Sequence, residues 1–150
     1  MRRTLKHLLI LVMIGAVGIS CSDSDEGSND SSPVQGTWRI LEVKVSDQSL
    51  NQRSPNDEMI TITFEEAGSF MGSTSANTFS GRYELNGSTI TMLEFTSTEA
   101  ADTAFAGVFY NAIEAAIIPN TTQAQFGFSF DSQDLILVFG SEGQMLLEAQ

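Results

Sequence analysis

The chain has 150 residues and a formal net charge of −12, with 19 acidic residues, 7 basic residues and a single cysteine. Nucleic-acid affinity depends mainly on clustered Lys and Arg side chains that neutralise phosphates, so this balance excludes a nucleic-acid partner. The same shortage of basic residues disfavours direct binding to anionic lipid head groups. One cysteine cannot form a disulfide within the chain, so the fold depends on a hydrophobic core.

The first twenty residues are typical of a secretory signal peptide. Arg2, Arg3 and Lys6 precede an apolar run over residues 8–19, which is shorter than the ~20 residues that span a bilayer. A basic start followed by about 7–15 apolar residues marks an export signal. We therefore predict that residues 1–20 are removed, with a buried N-terminal helix as the alternative.

The residues that end this segment, Gly18-Ile19-Ser20-Cys21, resemble the lipobox cut by lipoprotein signal peptidase. The resemblance implies cleavage before Cys21, a diacylglyceryl thioether on its sulfur and a further acyl group on the new amine. Two acyl chains anchor a protein stably, so the resemblance implies a membrane-bound protein. The alternative is a secreted protein with a free cysteine.

Residues 21–34 are predicted to form an acidic tether. They carry Asp23, Asp25, Glu26 and Asp30 and almost no apolar side chain, so they cannot bury enough surface to offset the entropy of ordering. An acidic run directly after a lipidated cysteine resembles the surface-export signal of Bacteroidota lipoproteins. The resemblance implies an outer-membrane location, with the domain exposed at the cell surface or facing the periplasm.

Removal of the signal peptide takes away His7, the only histidine, and leaves Arg39, Lys44, Arg53 and Arg82 as the only cations. Without histidine or a free thiol, neither Ser–His–Asp nor Cys–His nucleophile systems can form. The usual zinc sites are excluded for the same reason, because they need nitrogen or sulfur ligands. We therefore expect no enzymatic activity, no metal and no cofactor.

Carboxylates are the remaining reactive groups. A glycosidase needs two that face the same bond, and the adjacent acidic pairs of the domain are Asp57-Glu58 and Glu65-Glu66. Both pairs fall at predicted strand ends, where we interpret them as solvated charge. A carboxylate-based sugar hydrolase stays as an alternative.

Residues 35–150 are predicted to form one domain that begins with β-strands. Residues 36–45 are rich in β-branched and aromatic side chains, and their apolar phase shifts after Ile40, which indicates a bulge. Residues 59–70 alternate between apolar and polar side chains, which is typical of a strand buried on one face.

A hairpin and a closing set of strands are predicted further along. Residues 81–92 alternate around Asn86-Gly87, the strongest short-range hairpin signal. In this hairpin, Tyr83 and Leu85 share one face with residues across the turn. Three further strands are predicted over residues 124–131, 134–139 and 144–149.

Between these strands, residues 97–118 change to helical periodicity. One of residues 96–98 is the expected N-cap, Glu99 can complete a capping box, and Pro119 ends the helix. Burial of each Phe or Ile contributes about 1.5–3 kcal/mol, so we interpret the apolar stripe as core. The stripe consists of Ala101, Phe105, Val108, Phe109, Ala112, Ile113, Ala116 and Ile117. The expected fold class is therefore α+β, with a small curved antiparallel sheet or partly open barrel packed against one main helix.

This order of elements resembles the META domain family of HslJ-like bacterial lipoproteins. The family pattern has a Trp in the first strand, a segment near G-x-x-x-x-N-x-[FY]-x-G-x-Y, a hairpin, a Thr-led helix and two closing strands. The resemblance covers most of residues 36–148, although cysteines that many members carry are replaced here by Ala76 and by alanine at the helix start. The matching residues are Trp38, Gly72, Asn77, Phe79, Gly81, Tyr83 and Thr98.

The segment over residues 71–91 is the candidate site, because it is dense in Gly, Ser, Thr and Asn. It is either a structural turn that sets the curvature of the sheet or a ligand-contacting rim. In the second interpretation, Asn77, Arg82, Tyr83 and Trp38 are the candidate contacts to a ligand or partner.

The resemblance implies a non-enzymatic, membrane-anchored envelope lipoprotein that acts in interaction or stress tolerance, with an unidentified protein partner. The alternative is a lipocalin-like binder of a small apolar ligand, because Gly36-Thr37-Trp38 resembles the Gly-x-Trp start of lipocalins. A domain of about 118 residues has little core to give up for a cavity, which disfavours the alternative. We expect a monomeric domain.

Overall fold

The computed structural model describes residues 32–45 and 51–150, so the signal peptide, Cys21 and most of the acidic tether lie outside these ranges. The described residues form one helix and a set of strands. In chain order the elements are β1 (Gly36–Lys44), β2 (Asn51–Arg53), β3 (Thr61–Phe64), β4 (Ser69–Ser73), β5 (Thr78–Asn86), β6 (Thr89–Ser97), α1 (Ala104–Ala115), β7 (Ala124–Asp131), β8 (Asp134–Phe139) and β9 (Gly143–Ala149).

The strands form one antiparallel sheet in the order β2-β1-β3-β4-β5-β6-β7-β8-β9. Strand β9 also pairs with β1, which closes β1 and β3 to β9 into an eight-stranded barrel. The short strand β2 pairs with the second half of β1. The predicted α+β fold, with an open or partly open sheet packed against a main helix, is therefore wrong. The domain is a mostly-β closed barrel with one short helix.

Closure depends on pairing between the first and last strands, which local sequence patterns do not encode. The register of β1 against β9 shifts between Ile40 and Glu42, and this shift is the bulge that the phase change in β1 predicts. A bulge bends its strand and increases its twist. The bent strand pairs with β3 over its first half and with β2 over its second half.

Side chains from alternate strand positions fill the barrel. In β3, Ile62 and Phe64 are buried inside, while Thr61 and Thr63 face outward, as the alternation predicts. An eight-stranded barrel encloses about enough space for its own side chains. The largest fully buried side chains are Phe64, Phe70, Phe109, Phe126, Ile40, Ile60, Ile90, Met92, Leu135, Leu137, Met145 and Leu147.

The predicted hairpin is confirmed as the connection between β5 and β6. Leu85 pairs with Ile90, and Asn86 pairs with Thr89, so the turn itself consists of residues 87–88. Gly87 has a φ of 57°, a left-handed conformation that glycine adopts without the steric cost other residues meet.

The predicted helix is confirmed, but it begins later than expected. Thr103 is the N-cap and accepts a hydrogen bond from the N–H of Ala106, whereas Ser97 ends β6. Five members of the predicted stripe are buried within α1 and Ala116 is buried just after it, but Ala101 and Ile117 are exposed. The residues between Ser97 and Thr103 belong to neither β6 nor α1, and Thr98, Ala100 and Asp102 among them hydrogen-bond with the Asn77 side chain.

Helix α1 covers the end of the barrel at which β1 ends and β5 begins. The ring centroids of Phe109 and Phe79 lie 5.1 Å apart, and Phe79 stacks on Phe95 at 5.5 Å. Strands β6 and β7 pair only over residues 89–92 and 124–127, so in the described part of the chain the second half of β6 has β5 on one side and no strand on the other. Within the described residues, no helix has the length and apolarity that a membrane crossing requires.

Candidate functional site

A concave region of about 590 Å³ lies on the outer wall of the barrel, across β3, β4, β5 and β6. We call it the outer-wall groove. Most of its lining consists of hydroxyl side chains, with one exposed methionine and a phenylalanine ring. The lining residues are Thr61, Thr63, Met71, Gly72, Ser73, Thr78, Phe79, Ser80, Thr96, Ser97 and Thr98.

Strand register arranges these hydroxyls in rows. Outward side chains of neighbouring strands stand side by side in a sheet, and the pairing of β3, β4 and β5 aligns Thr61, Ser73 and Thr78 in this way. The hydroxyls of Thr61 and Ser73 lie 3.4 Å apart, and so do those of Ser80 and Thr96. The sheet thus presents closely spaced groups that can both donate and accept hydrogen bonds.

A second row crosses the centre of the groove. Thr63, Met71, Ser80 and Thr96 are aligned by the pairing of four successive strands. Met71 is 52% exposed, which makes it an apolar side chain surrounded by hydroxyls. None of the lining residues, all of them in the described part of the chain, carries a charge.

Glycine permits the close strand approach beneath the groove. A Cβ atom at Gly72 would lie 2.2 Å from the backbone oxygen of Thr61 and 2.3 Å from Cζ of Phe79. The Phe79 ring therefore occupies the space beneath β4 that a larger residue at position 72 would fill. This packing fixes the floor of the groove.

Asn77 lies close to the groove but faces inward. Its side chain is 5% exposed, and Nδ2 donates to the Ala100 oxygen and to Oδ2 of Asp102, both at 2.9 Å. Its Oδ1 accepts from the Thr98 hydroxyl at 3.0 Å and from the Ala100 N–H at 2.7 Å. All four hydrogen-bonding positions of the amide are therefore used inside the protein.

Asp102 extends this set of contacts. The Thr74 hydroxyl donates to Oδ2 of Asp102, and the Thr103 N–H donates to Oδ1 at 2.9 Å. Burial raises the pKa of Asp102, but the hydrogen bonds from Thr74, Asn77 and the Thr103 backbone outweigh burial and hold this pKa below its usual value. Folding therefore favours the charged carboxylate.

Glu58 completes a cluster that we call the polar latch, made of Glu58, Thr74, Asn77, Asp102 and Thr103. The Glu58 side chain is 5% exposed and accepts a hydrogen bond from the hydroxyl of Thr103, the N-cap of α1. A carboxylate at a helix N-terminus interacts favourably with the helix dipole. The sequence interpretation of Glu58 as solvated charge is therefore wrong.

The four candidate contact residues do not converge in the structure. Arg82 is exposed on the outer wall, one outward position beyond Ser80 and outside the groove lining. Tyr83 is buried and its hydroxyl donates to the backbone oxygen of Glu65 at 2.8 Å. Trp38 is also buried and donates from Nε1 to the Val34 oxygen at 2.8 Å. A role for any of these residues in ligand contact stays a prediction.

The groove overlaps the first half of the segment over residues 71–91, but the four candidate contacts do not line it. Met71, Gly72, Phe79 and their hydroxyl neighbours in β4 and β5 belong to residues 71–91, whereas Thr61, Thr63 and the residues that end β6 were not selected. The available signal was the outward phase of each alternating strand. Among the described residues, no group of three or more His, Cys, Asp or Glu side chains could hold a metal ion.

Comparison with known proteins gives a family and a fold. The family model of the META domain matches residues 32–149, and no curated protein matches significantly. A protein from Burkholderia xenovorans is similar in structure, with a TM-score of 0.59, 16% identity, and coverage of 78% of this chain and 83% of that chain.

Two crystal structures from Bacteroides are also similar. A DUF4847 family protein from Bacteroides vulgatus has a TM-score of 0.55 and 21% identity, over 78% of this chain and 94% of its own. A lipocalin-like protein from Bacteroides uniformis has a TM-score of 0.52 and 15% identity, over 78% of this chain and 98% of its own. These likenesses concern the fold alone.

Proposed function

Because the chain belongs to the META domain family, we propose that it is a membrane-anchored binding module of the cell envelope. It acts without catalysis and receives its partner on the outer-wall groove. The observation that carries the proposal is the contrast between a barrel interior filled by its own side chains and an open groove on the wall.

The packing of the interior supports a site on the outside. A lipocalin-type barrel holds a small ligand among its inward side chains, but here Phe64, Phe70 and Phe126 are fully buried in that space. Entry of a ligand would require these rings to move, and close-packed cores resist such changes. The outer-wall groove needs no such rearrangement.

The chemistry of the described residues supports a non-catalytic role. The groove lining lacks titratable side chains, so it offers no general acid, general base or activated nucleophile. The two carboxylates of the polar latch, buried Glu58 and half-buried Asp102, are hydrogen-bonded to Thr74, Asn77 and Thr103. These contacts make them structural partners of the helix N-terminus.

The anchor is the part of the proposal that depends on sequence. Cys21 is the proposed lipid carrier, and residues 22–33 join it to Val34, which is fully buried in the core. A fully extended segment of this length spans at most roughly 40 Å, so the tether keeps the domain near the membrane that holds it. An outer-membrane location follows from the lipobox and the acidic tether.

Cell fractionation tests the anchor. We expect the native protein to pellet with the outer membrane and the Cys21→Ala variant to appear in a soluble fraction. If the variant still pellets with the envelope, lipidation at Cys21 is not what holds the protein there.

Site-specific photo-crosslinking in intact cells tests the binding surface. A photo-crosslinking residue at Met71 in the groove is compared with one at Val138, an outward side chain of β8 on the far wall that is 47% exposed. We expect a reproducible cross-linked product from position 71. The photo-crosslinking residue at position 138 should not give that product. The same products at both positions, or none at Met71, would contradict a partner site in the groove.

A second candidate function is binding of a small apolar ligand beside α1. A recess of about 280 Å³ lies where β6 and β7 separate, and Phe95, Tyr110, Ile113 and Ile117 belong to its lining. Ile117 is 42% exposed, so an apolar ligand would cover it. Native mass spectrometry of protein purified from its host tests this candidate, because a retained apolar molecule would add a constant mass.

A further inference from the structure

We propose that the partner of the outer-wall groove is a neutral saccharide chain. This inference rests on the proposed function, because it names the chemical class of the partner for the same groove.

The charge distribution selects a neutral ligand. The groove lining is uncharged, whereas the chain as a whole carries 19 acidic residues against 7 basic ones. Two cations border the groove, Arg39 beside Thr61 and Arg82 beyond Ser80, but neither belongs to the lining. An anionic ligand seated on the hydroxyls would therefore meet the negative net charge of the chain without a cationic partner in the lining. A cationic ligand would find no carboxylate in the lining. A neutral ligand needs no partner of opposite charge, so it fits the uncharged lining best.

The hydroxyl rows match a ligand that carries many hydroxyls. Each Ser or Thr hydroxyl both donates and accepts, and so does each sugar hydroxyl, so either partner can adjust its hydrogens to the other. Neighbouring strands lie about 4.8 Å apart, which repeats the hydroxyls of Thr61, Ser73 and Thr78 across the groove. A ligand with hydroxyls along its length can follow this row.

Met71 supplies the apolar element that such a ligand needs. Pyranose rings expose faces made of C–H groups, and burial of these faces against an apolar side chain removes both from water. Met71 stands 52% exposed between Thr63 and Ser80. Its flexible thioether adapts to the shape of the ring above it.

The backbone under the groove disfavours a peptide as the partner. Peptides that bind by strand addition need a free sheet edge, but β4, at the centre of the groove, is paired on both sides, with β3 and with β5. The unpaired edge of β6 lies on the side away from β5, where the recess beside α1 separates it from β7. A protein interface generally has an apolar or aromatic centre, whereas the exposed centre of this groove is one methionine surrounded by hydroxyls. A saccharide chain needs neither an edge nor a large apolar patch.

Binding measurements on the full mature protein in detergent test the proposal. An array of neutral and acidic oligosaccharides is screened first, and the neutral oligosaccharide that binds best is then titrated calorimetrically. We expect binding to at least one neutral oligosaccharide and none to purely acidic ones. Binding restricted to acidic oligosaccharides, or no binding to any neutral one, would overturn the proposal.

Charge placement locates the site. Ser80→Asp and Thr96→Asp each put a carboxylate into the groove at an exposed position, and Val138→Asp puts the same charge on the far wall. We expect each groove variant to weaken binding by at least about tenfold, because a saccharide that covers the carboxylate must desolvate it. Val138→Asp should bind as the native protein does, with folding of all three checked by circular dichroism.

Equal losses in Val138→Asp and the groove variants would overturn the groove as the saccharide site. The cross-linking experiment at Met71 separates this inference from the proposed function. A protein cross-linked at Met71 in cells, together with no saccharide binding, would reject the saccharide and keep the groove as a binding surface. Absence of any product at Met71 would reject both.

Discussion

Nδ2 of Asn77 and Oδ2 of Asp102 lie 2.9 Å apart and join the turn between β4 and β5 to the segment that leads into α1. The remaining bonds of Asn77 go to Thr98 and Ala100 in the same segment. This relationship explains why the helix begins only at Ala104 and why the residues before it are not helical. Asn77 therefore determines how the helix approaches the barrel end.

Replacement of Asn77 tests this structural role. Asn77→Ala removes four hydrogen bonds and leaves the Asp102 carboxylate and the Ala100 backbone short of partners, so we expect a loss of about 2–3 kcal/mol in the free energy of unfolding. Urea denaturation measures the loss, with Asn56→Ala at an exposed position as the control. Unchanged stability combined with a lost cross-link at Met71 would instead make Asn77 a ligand contact.

The lowered pKa of Asp102 predicts a specific pH dependence. Since folding lowers this pKa, its contribution to stability is complete above the unfolded value of about 3.9 and is lost as the pH falls through the folded value. We expect the difference in unfolding free energy between native protein and Asp102→Asn to be largest above about pH 5 and to narrow on further acidification.

Denaturation at a series of pH values measures this effect, with Asp131→Asn at an exposed position as the control. The difference in unfolding free energy between native protein and Asp131→Asn should change less with pH than the difference between native protein and Asp102→Asn. A gap between native protein and Asp102→Asn that widened as the pH fell would mean that the pKa is raised in the folded state.

Thr103 connects the helix cap to a buried carboxylate. Thr103→Ala removes the N-cap bond to Ala106 and the hydroxyl that Glu58 accepts from, so we expect a loss of about 2 kcal/mol. Thr103→Ser keeps both bonds and should retain most of the stability, while Thr122→Ala serves as an exposed control. A double-mutant cycle with Glu58→Ala should show coupling between the two side chains. Additive losses would contradict a direct interaction.

Two glycines give predictions of opposite sign. A Cβ at Gly72 meets backbone and ring atoms within 2.5 Å, so Gly72→Ala should destabilise by about 1–3 kcal/mol. At Gly107, inside α1, a Cβ meets nothing within 4 Å, so Gly107→Ala should stabilise by about 0.5–1 kcal/mol. Thermal denaturation of both variants measures these changes in stability. If Gly72→Ala were as stable as the native protein, β3 and β4 could move apart without loss of stability.

Local patterns predicted the elements that depend on near neighbours. Alternation placed Ile62 and Phe64 inside, the turn residue Gly87 identified the β5–β6 hairpin, and the three–four spacing identified Phe105 and Phe109 as the buried face of a helix. These features depend on contacts within about a dozen residues. They were therefore visible in the sequence.

Features that depend on distant pairing were not predictable in the same way. Barrel closure joins β1 to β9, and the same alternating patterns are compatible with an open sheet. The buried Glu58 carboxylate is hydrogen-bonded to Thr103, which is 45 residues away in the sequence. The residues next to Glu58 in the sequence therefore did not distinguish it from exposed Asp57. The groove likewise depends on outward Ser, Thr and Met side chains whose alignment is set by the register of four strands.

The hydrogen bond from Trp38 to the Val34 oxygen has a consequence for how the domain is presented. It fixes the start of the folded chain at the barrel end opposite α1, so a tether from Cys21 would join the domain at that end. The start of β3 and the end of β6, which border the groove, lie at the other end. The row of Thr61, Ser73 and Thr78 therefore lies away from the point where the tether joins the domain. A partner that reaches this row would approach from the side of the barrel that the tether leaves open.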